Sequence, residues 1–168
     1  PAGIITFPGV NGYTKDLDKR LPYDVDAAKK LLADAGYPKG FDVELRCPND
    51  RYVNDEAICT AVVGMLGKIG VNVNLFAQTK SKHFKELKED KGDFYMLGWG
   101  VPTLDSHYVF HYLYESGASW NKVNFSNSEV DAAIRVMEGE VDLDKRNAAI
   151  ANAWKIVKDD ISYLPLHH

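Results

Sequence analysis

The chain has 168 residues, 45% apolar and 26% charged, with 20 Lys and Arg against 24 Asp and Glu for a formal net charge of -4. A compact chain of this length buries about 70% of its unfolded surface, and the composition is that of a globular protein, which excludes disordered, collagen, coiled-coil and disulfide-scaffold classes. The acidic balance and the scarcity of basic runs argue against a nucleic-acid partner, and no window reaches the roughly 18 consecutive apolar residues of a spanning helix.

Residues 1–22 hold Gly3, Pro8, Gly9, Gly12 and Pro22 without a sustained period, so they read as an extended leading segment laid over a later core. Pro1-Ala2-Gly3-Ile4 carries no visible targeting signal, and the chain stops on the apolar run Leu164-Pro165-Leu166 before His167-His168. Both ends are those expected of a processed chain or a fragment. From Asp24 a short helix is predicted: Asp24 caps, Ala27, Ala28, Leu31, Leu32 and Ala35 form a stripe, and Gly36 closes it.

Phe41 to Cys47 alternates apolar and charged residues, which predicts a half-buried strand ended by Pro48. Asn54 or Asp55 opens a helix carrying Ile58, Ala61, Val62, Met65, Leu66 and Ile69, stopped by Gly70. Val71, Val73, Leu75 and Ala77 then alternate with polar partners in a second strand, which completes a parallel βαβ unit. Ser81 is expected to cap a charged helix ended by Gly92. The continuous apolar run Phe94 to Leu97 predicts a strand covered on both faces. Gly98 to Asp105 leaves the carboxyl end of that strand, where open α/β sheets bind ligands.

The last third reads as helical. Asp105 or Ser106 begins a helix with Tyr108, Val109, Tyr112 and Leu113, Ser126 to Glu129 reads as a capping box, Leu143 to about Lys158 forms a further helix, and Ile161 to Leu166 a final strand. No repeat or linker interrupts the chain, so residues 1–168 read as one α/β lobe: segment 1–22, a core over 23–125, and a helical segment 126–168.

Gly-x-Ser-x-Gly, a phosphate-binding loop and a dinucleotide fingerprint are all absent. His107 and His111 lie four apart on a predicted helix and share a face, but no neighbouring Glu and no third ligand is placed by spacing, so the sequence gives no metal site. An enzyme using His107, His111 and Asp105 as metal ligands or as an acid/base set is the alternative reading. Cys47 and Cys59 lack Cys-x-x-Cys spacing. Buried free thiols are the default, with a strand-to-helix disulfide as the minor option for an exported protein. Tyr52, Trp99 and Trp120 fall outside any core stripe, as cleft-lining aromatics do, whereas Trp154 lies on a helical stripe and reads as packing.

Pro22-Tyr23-Asp24, Ala28, Leu31-Leu32, Ala35-Gly36-Tyr37 and Gly40-Phe41 resemble a stretch of the family 5 extracellular solute-binding proteins, the peptide- and nickel-type receptors of ABC importers. Pro48 to Tyr52, Leu66 to Val73, Gly98-Trp99-Gly100, Asn127 to Asp131 and Leu164 to His167 follow in the same order. The resemblance implies a periplasmic-binding-protein type II-like lobe, with a mostly parallel or mixed sheet flanked by helices and a helical C-terminal third. It further implies a receptor without turnover or cofactor, in the periplasm or anchored outside the cell. Its partners would be a small-molecule or peptide ligand, ABC permease subunits and the N-terminal lobe of the same protein.

The resemblance also implies a cleft wall formed by Arg51, Tyr52, Asn54, Trp99, Gly100 and Asp105. Arg51 matches the position where dipeptide-binding members grip a ligand carboxylate; a surface salt bridge is its other reading. Those members carry an aspartate three residues after the Trp, where this chain has Pro102. Asp105 is then either its substitute or only the cap of the next helix.

Overall fold

The computed structural model describes residues 1–168. The chain divides into two compact units, Pro22–Gly98 on one hand and Pro1–Leu21 with Trp99–His168 on the other.

In the Pro22–Gly98 unit, helix α1 (Val25–Asp34) starts where the Asp24 carboxylate accepts the Ala27 N–H at 2.9 Å. None of its residues is buried and Leu31 is 70% exposed, so the predicted stripe stays uncovered. Strand β1 (Asp42–Pro48), helix α2 (Asp55–Gly67) and strand β2 (Asn72–Gln78) form the expected βαβ unit, with β1 and β2 parallel from Asp42 opposite Asn72 to Pro48 opposite Gln78. The turns entering the two strands meet at Gly40, where a Cβ would come within 1.8 Å of the Gly70 carbonyl oxygen. Helix α3 (Lys80–Lys88) follows Thr79 and not a Ser81 cap.

Strand β3 (Phe94–Tyr95) completes a three-stranded sheet of order β2-β1-β3, with β1 central. It is shorter than the apolar run from Phe94 to Leu97 predicts. The Met96 N–H still donates to the Arg46 carbonyl at 2.9 Å, but the chain leaves the ladder there. Leu45, Cys47 and Cys59 form the buried centre, covered by Val62, Val73, Leu75, Phe94 and Met96. Cys47 and Cys59 are disulfide-bonded and not free thiols: packing α2 on β1 brings their Cα atoms to 6.5 Å, within bridging range.

In the other unit, the leading segment buries Ala2, Ile4, Thr6 and Val10, as a strip laid over a later core should. Asn11 bridges to Asp105, and Gly12, at φ 88°, passes so close to α6 that a Cβ would meet Ile150 Cγ2 at 2.4 Å. The helices are α4 (Ser106–Val109), a π-helical turn (Phe110–Tyr114), α5 (Ser128–Gly139) and α6 (Leu143–Asp160). The start of α5 is not a capping box. The Asn127 side chain accepts the Glu129 and Val130 N–H groups instead.

Trp154 is 1% exposed, stacks obliquely on Phe110 at 4.6 Å and donates Nε1–H to Ser106 Oγ at 3.2 Å. Full burial of a side chain this size contributes about 3 kcal/mol. The predicted final strand does not form: Ile161 takes a left-handed φ of 61° as it ends α6, Pro165 offers no N–H, and Leu166 O accepts the Ala2 N–H at 3.2 Å without a ladder.

Candidate ligand-binding site

Arg51, Tyr52 and Asn54 sit together on the loop between β1 and α2. The loop is built around Asp55, which is 4% exposed and accepts the N–H groups of Arg51 at 2.9 Å, Tyr52 at 3.0 Å and Glu56 at 2.9 Å. Burial pushes the Asp55 carboxyl upward, but these backbone donors outweigh it and its pKa lies below the ordinary value. Asn54 takes a left-handed φ of 58° and its side chain makes no cap, so the sharp turn rests on Asp55. Asn tolerates that region better than most residues.

The loop presents Arg51 to solvent with its guanidinium 5.0 Å from the centre of the Tyr52 ring, and Arg51 enters no salt bridge. Tyr52 is half-buried, and its hydroxyl donates a long hydrogen bond, 3.4 Å, to the Gly98 carbonyl. A Cβ at Gly98 would meet the Tyr52 ring at 2.6 Å, so glycine there admits the ring.

Trp99 and Gly100 belong to the other unit. The Trp99 ring lies 6.1 Å from Tyr108, 6.0 Å from Tyr112 and 5.8 Å from Trp120. Its Nε1–H is buried without a hydrogen-bond partner, a donor left over by the protein's own packing. Gly100 is exposed, with open space where a Cβ would lie.

Asp105 is committed to its own fold. It caps α4 through the His107 N–H at 2.9 Å, receives both Arg146 guanidinium nitrogens at 2.8 Å, and accepts Asn11 Nδ2 at 3.0 Å. Burial raises its pKa, but the Arg146, His107 and Asn11 donors together bring it below the ordinary value. The cap reading of Asp105 is therefore the one its geometry supports.

The acid/base set of the alternative reading is not assembled. Asp105 meets the His107 backbone, while the His107 ring faces Glu138, with Nε2 and Oε1 3.4 Å apart. Asp55, Gly98, Arg146 and Glu138 escape the sequence reading. Asp55 alone had a local signal, as an acidic residue at a predicted helix start; Arg146 and Glu138 meet partners 41 and 31 positions away.

One unit is a βαβ-based parallel sheet with Arg51 and Tyr52 on a strand-end loop, and the other holds an aromatic group around Trp99. The family model of bacterial extracellular solute-binding proteins, family 5 Middle, matches residues 1–121. The chain belongs to this family, whose members are binding proteins and not enzymes. It is 28% identical to heme-binding protein A of Haemophilus influenzae over 169 residues, which cover 96% of this chain and 30% of that protein. It is 26% identical to the dipeptide-binding protein of Escherichia coli over 167 residues, 96% of this chain and 31% of the relative.

The periplasmic binding protein DppA of Helicobacter pylori, solved with the peptide STSA, matches with a TM-score of 0.82 and 24% identity over 95% of this chain and 31% of its own. The dipeptide binding protein of Pseudoalteromonas sp. SM9913, solved with Met-Leu, matches at 0.80 and 24% identity over 96% and 33%. The fold is that of the type II periplasmic binding proteins. The chain spans about a third of the length of these relatives, and no helix in it is long and apolar enough to cross a membrane.

Proposed function

We propose that this chain is part of an ABC-importer receptor, periplasmic or held at the outer cell surface. The receptor encloses a small solute bearing a carboxylate between its two lobes and passes it to a membrane permease. This chain supplies most of the second lobe. The observation that carries the reading is Arg51, exposed beyond the end of the central strand β1 on a loop fastened by a buried carboxylate, with its guanidinium in no salt bridge. Such a group makes a bidentate, charge-assisted contact to a carboxylate.

Tyr52 and Asn54 flank that contact. From the other unit we assign to ligand binding Trp99, through its ring and unpaired Nε1–H, Gly100, which has open space where a Cβ would lie, and Asp105, which caps α4. Relatives named for dipeptides and glutathione favour a solute with carboxylates.

Calorimetric titration of the whole receptor with dipeptides and with glutathione tests the reading. Losing the Arg51 contact costs about 1.5–3 kcal/mol, so Arg51→Ala should weaken the Kd of the peptide that binds by roughly tenfold to 150-fold. Equal affinity of Arg51→Ala and the unaltered receptor would overturn the assignment.

A further inference from the structure

The histidine pair that spacing left without a third ligand acquires one in the fold. His107 and His111 stack with ring centres 5.6 Å apart and planes 25° apart, and α5 brings Glu138 to them. His107 Nε2 lies 3.4 Å from Glu138 Oε1, and His111 Nδ1 lies 3.9 Å from the same oxygen. Glu115 Oε2 stands 2.8 Å from His111 Nδ1. We propose that His107, His111 and Glu138, with Glu115 beside them, form a site for a divalent transition-metal ion of the zinc type.

Three features support the site. First, one donor atom from each of His107, His111 and Glu138 falls within 4.8 Å of the others, so a single ion reaches all three. Ligands about 2.1 Å from a tetrahedral ion stand about 3.4 Å from one another, as the His107 and Glu138 atoms do. Second, His111 Nδ1 is shielded from solvent and makes no aligned hydrogen bond although Glu115 Oε2 lies 2.8 Å away, so the atom has no partner within the fold that a metal ion would have to displace by geometry. Third, two carboxylates converge on one imidazole, a local negative charge that a dication neutralises.

The backbone contributes as well. His111 sits in the π-helical turn Phe110–Tyr114, a local geometry frequent at functional sites. Two imidazoles with carboxylates select borderline ions such as zinc, nickel or copper over calcium and magnesium, which prefer all-oxygen shells. The site is also continuous with the aromatic group, since the Tyr112 ring meets His111 edge-on at 4.9 Å and Trp99 at 6.0 Å. A bound ion would fix the turn that carries Tyr108 and Tyr112.

The test is calorimetric titration of the 168-residue chain with zinc chloride alone, its fold checked by circular dichroism. One-to-one binding is expected, at least tenfold weaker in His107→Ala and in Glu138→Gln and undetectable in the His107→Ala/His111→Ala double variant. These side chains are 29% to 45% exposed, so the variants should keep the fold. Magnesium chloride should not compete. The terminal His167 and His168 provide the internal control, and a His167→Ala/His168→Ala variant should bind zinc within twofold of the unaltered chain. No saturable binding would overturn the proposal, as would binding lost with the terminal histidines or unchanged in His107→Ala and Glu138→Gln.

Discussion

Replacing Asp55 by Ala removes the carboxylate that accepts three backbone N–H groups of the Arg51 loop. Three backbone N–H groups then lose bonds of 2.9, 3.0 and 2.9 Å to a carboxylate that is 4% exposed. A hydrogen bond to a charged group contributes about 1.5 kcal/mol or more, and part of that returns when water reaches the opened loop. The net expectation is a loss of about 3 kcal/mol from the Pro22–Gly98 unit, seen as a lower urea midpoint at unchanged slope.

Hydrogen exchange localises the effect. The amides of Arg51 and Tyr52 should lose protection by roughly 100-fold, the equivalent of that energy, while β2 changes less. The acid response has a defined sign. Because the folded Asp55 carboxyl lies below its ordinary value, its contribution is present above about pH 3.9 and is lost as pH falls through the lower folded value. Asp55→Asn should remove that part of the acid sensitivity. Stability within about 0.5 kcal/mol and unchanged exchange at Arg51 and Tyr52 in Asp55→Ala would refute the role given to this carboxylate.

The pair of Asp105 and Arg146 is mostly shielded, with side chains 22% and 16% exposed, so Asp105→Asn should cost about 2 kcal/mol. A double-mutant cycle with Arg146→Ala should show coupling, and strict additivity would speak against the bidentate pair. Reducing Cys47–Cys59, which closes a short loop, should lower stability in urea by about 3 kcal/mol. Burial lowers the pKa of His83, which is 0% exposed, against opposing effects of the Met96 carbonyl and Glu86. The unfolded chain therefore gains a proton below about pH 6.5 that the folded chain refuses, and stability should decline from there downward, less steeply in His83→Gln.

The elements that announce themselves in the sequence are those whose burial follows a local period. Alternation from Phe41 to Cys47 and from Val71 to Ala77 gave two strands in register, and the apolar positions of α5 and α6 recur on their buried faces. The period fails where pairing is decided elsewhere. Phe94 to Leu97 carries strand chemistry, but only Phe94 and Tyr95 find partners on β1. Ile161 to Leu166 has no neighbouring strand to join.

Residue types at a strand end single out Arg51 and Tyr52 in the sequence, and the structure places both on the loop between β1 and α2. What positions the candidate residues was not legible there: Asp55 acts through three backbone groups, and Arg146 reaches Asp105 from 41 residues away. The disulfide was illegible for another reason, since the oxidation state of two cysteines depends on the compartment as much as on spacing.

The most direct measurement is the structure of the whole receptor crystallised with the peptide that calorimetry selects. A ligand carboxylate is expected about 2.7–2.9 Å from the Arg51 guanidinium, with Tyr52 alongside. A ligand bound out of reach of Arg51, or an Arg51 paired with a carboxylate of the protein in the complex, would contradict the role proposed for Arg51.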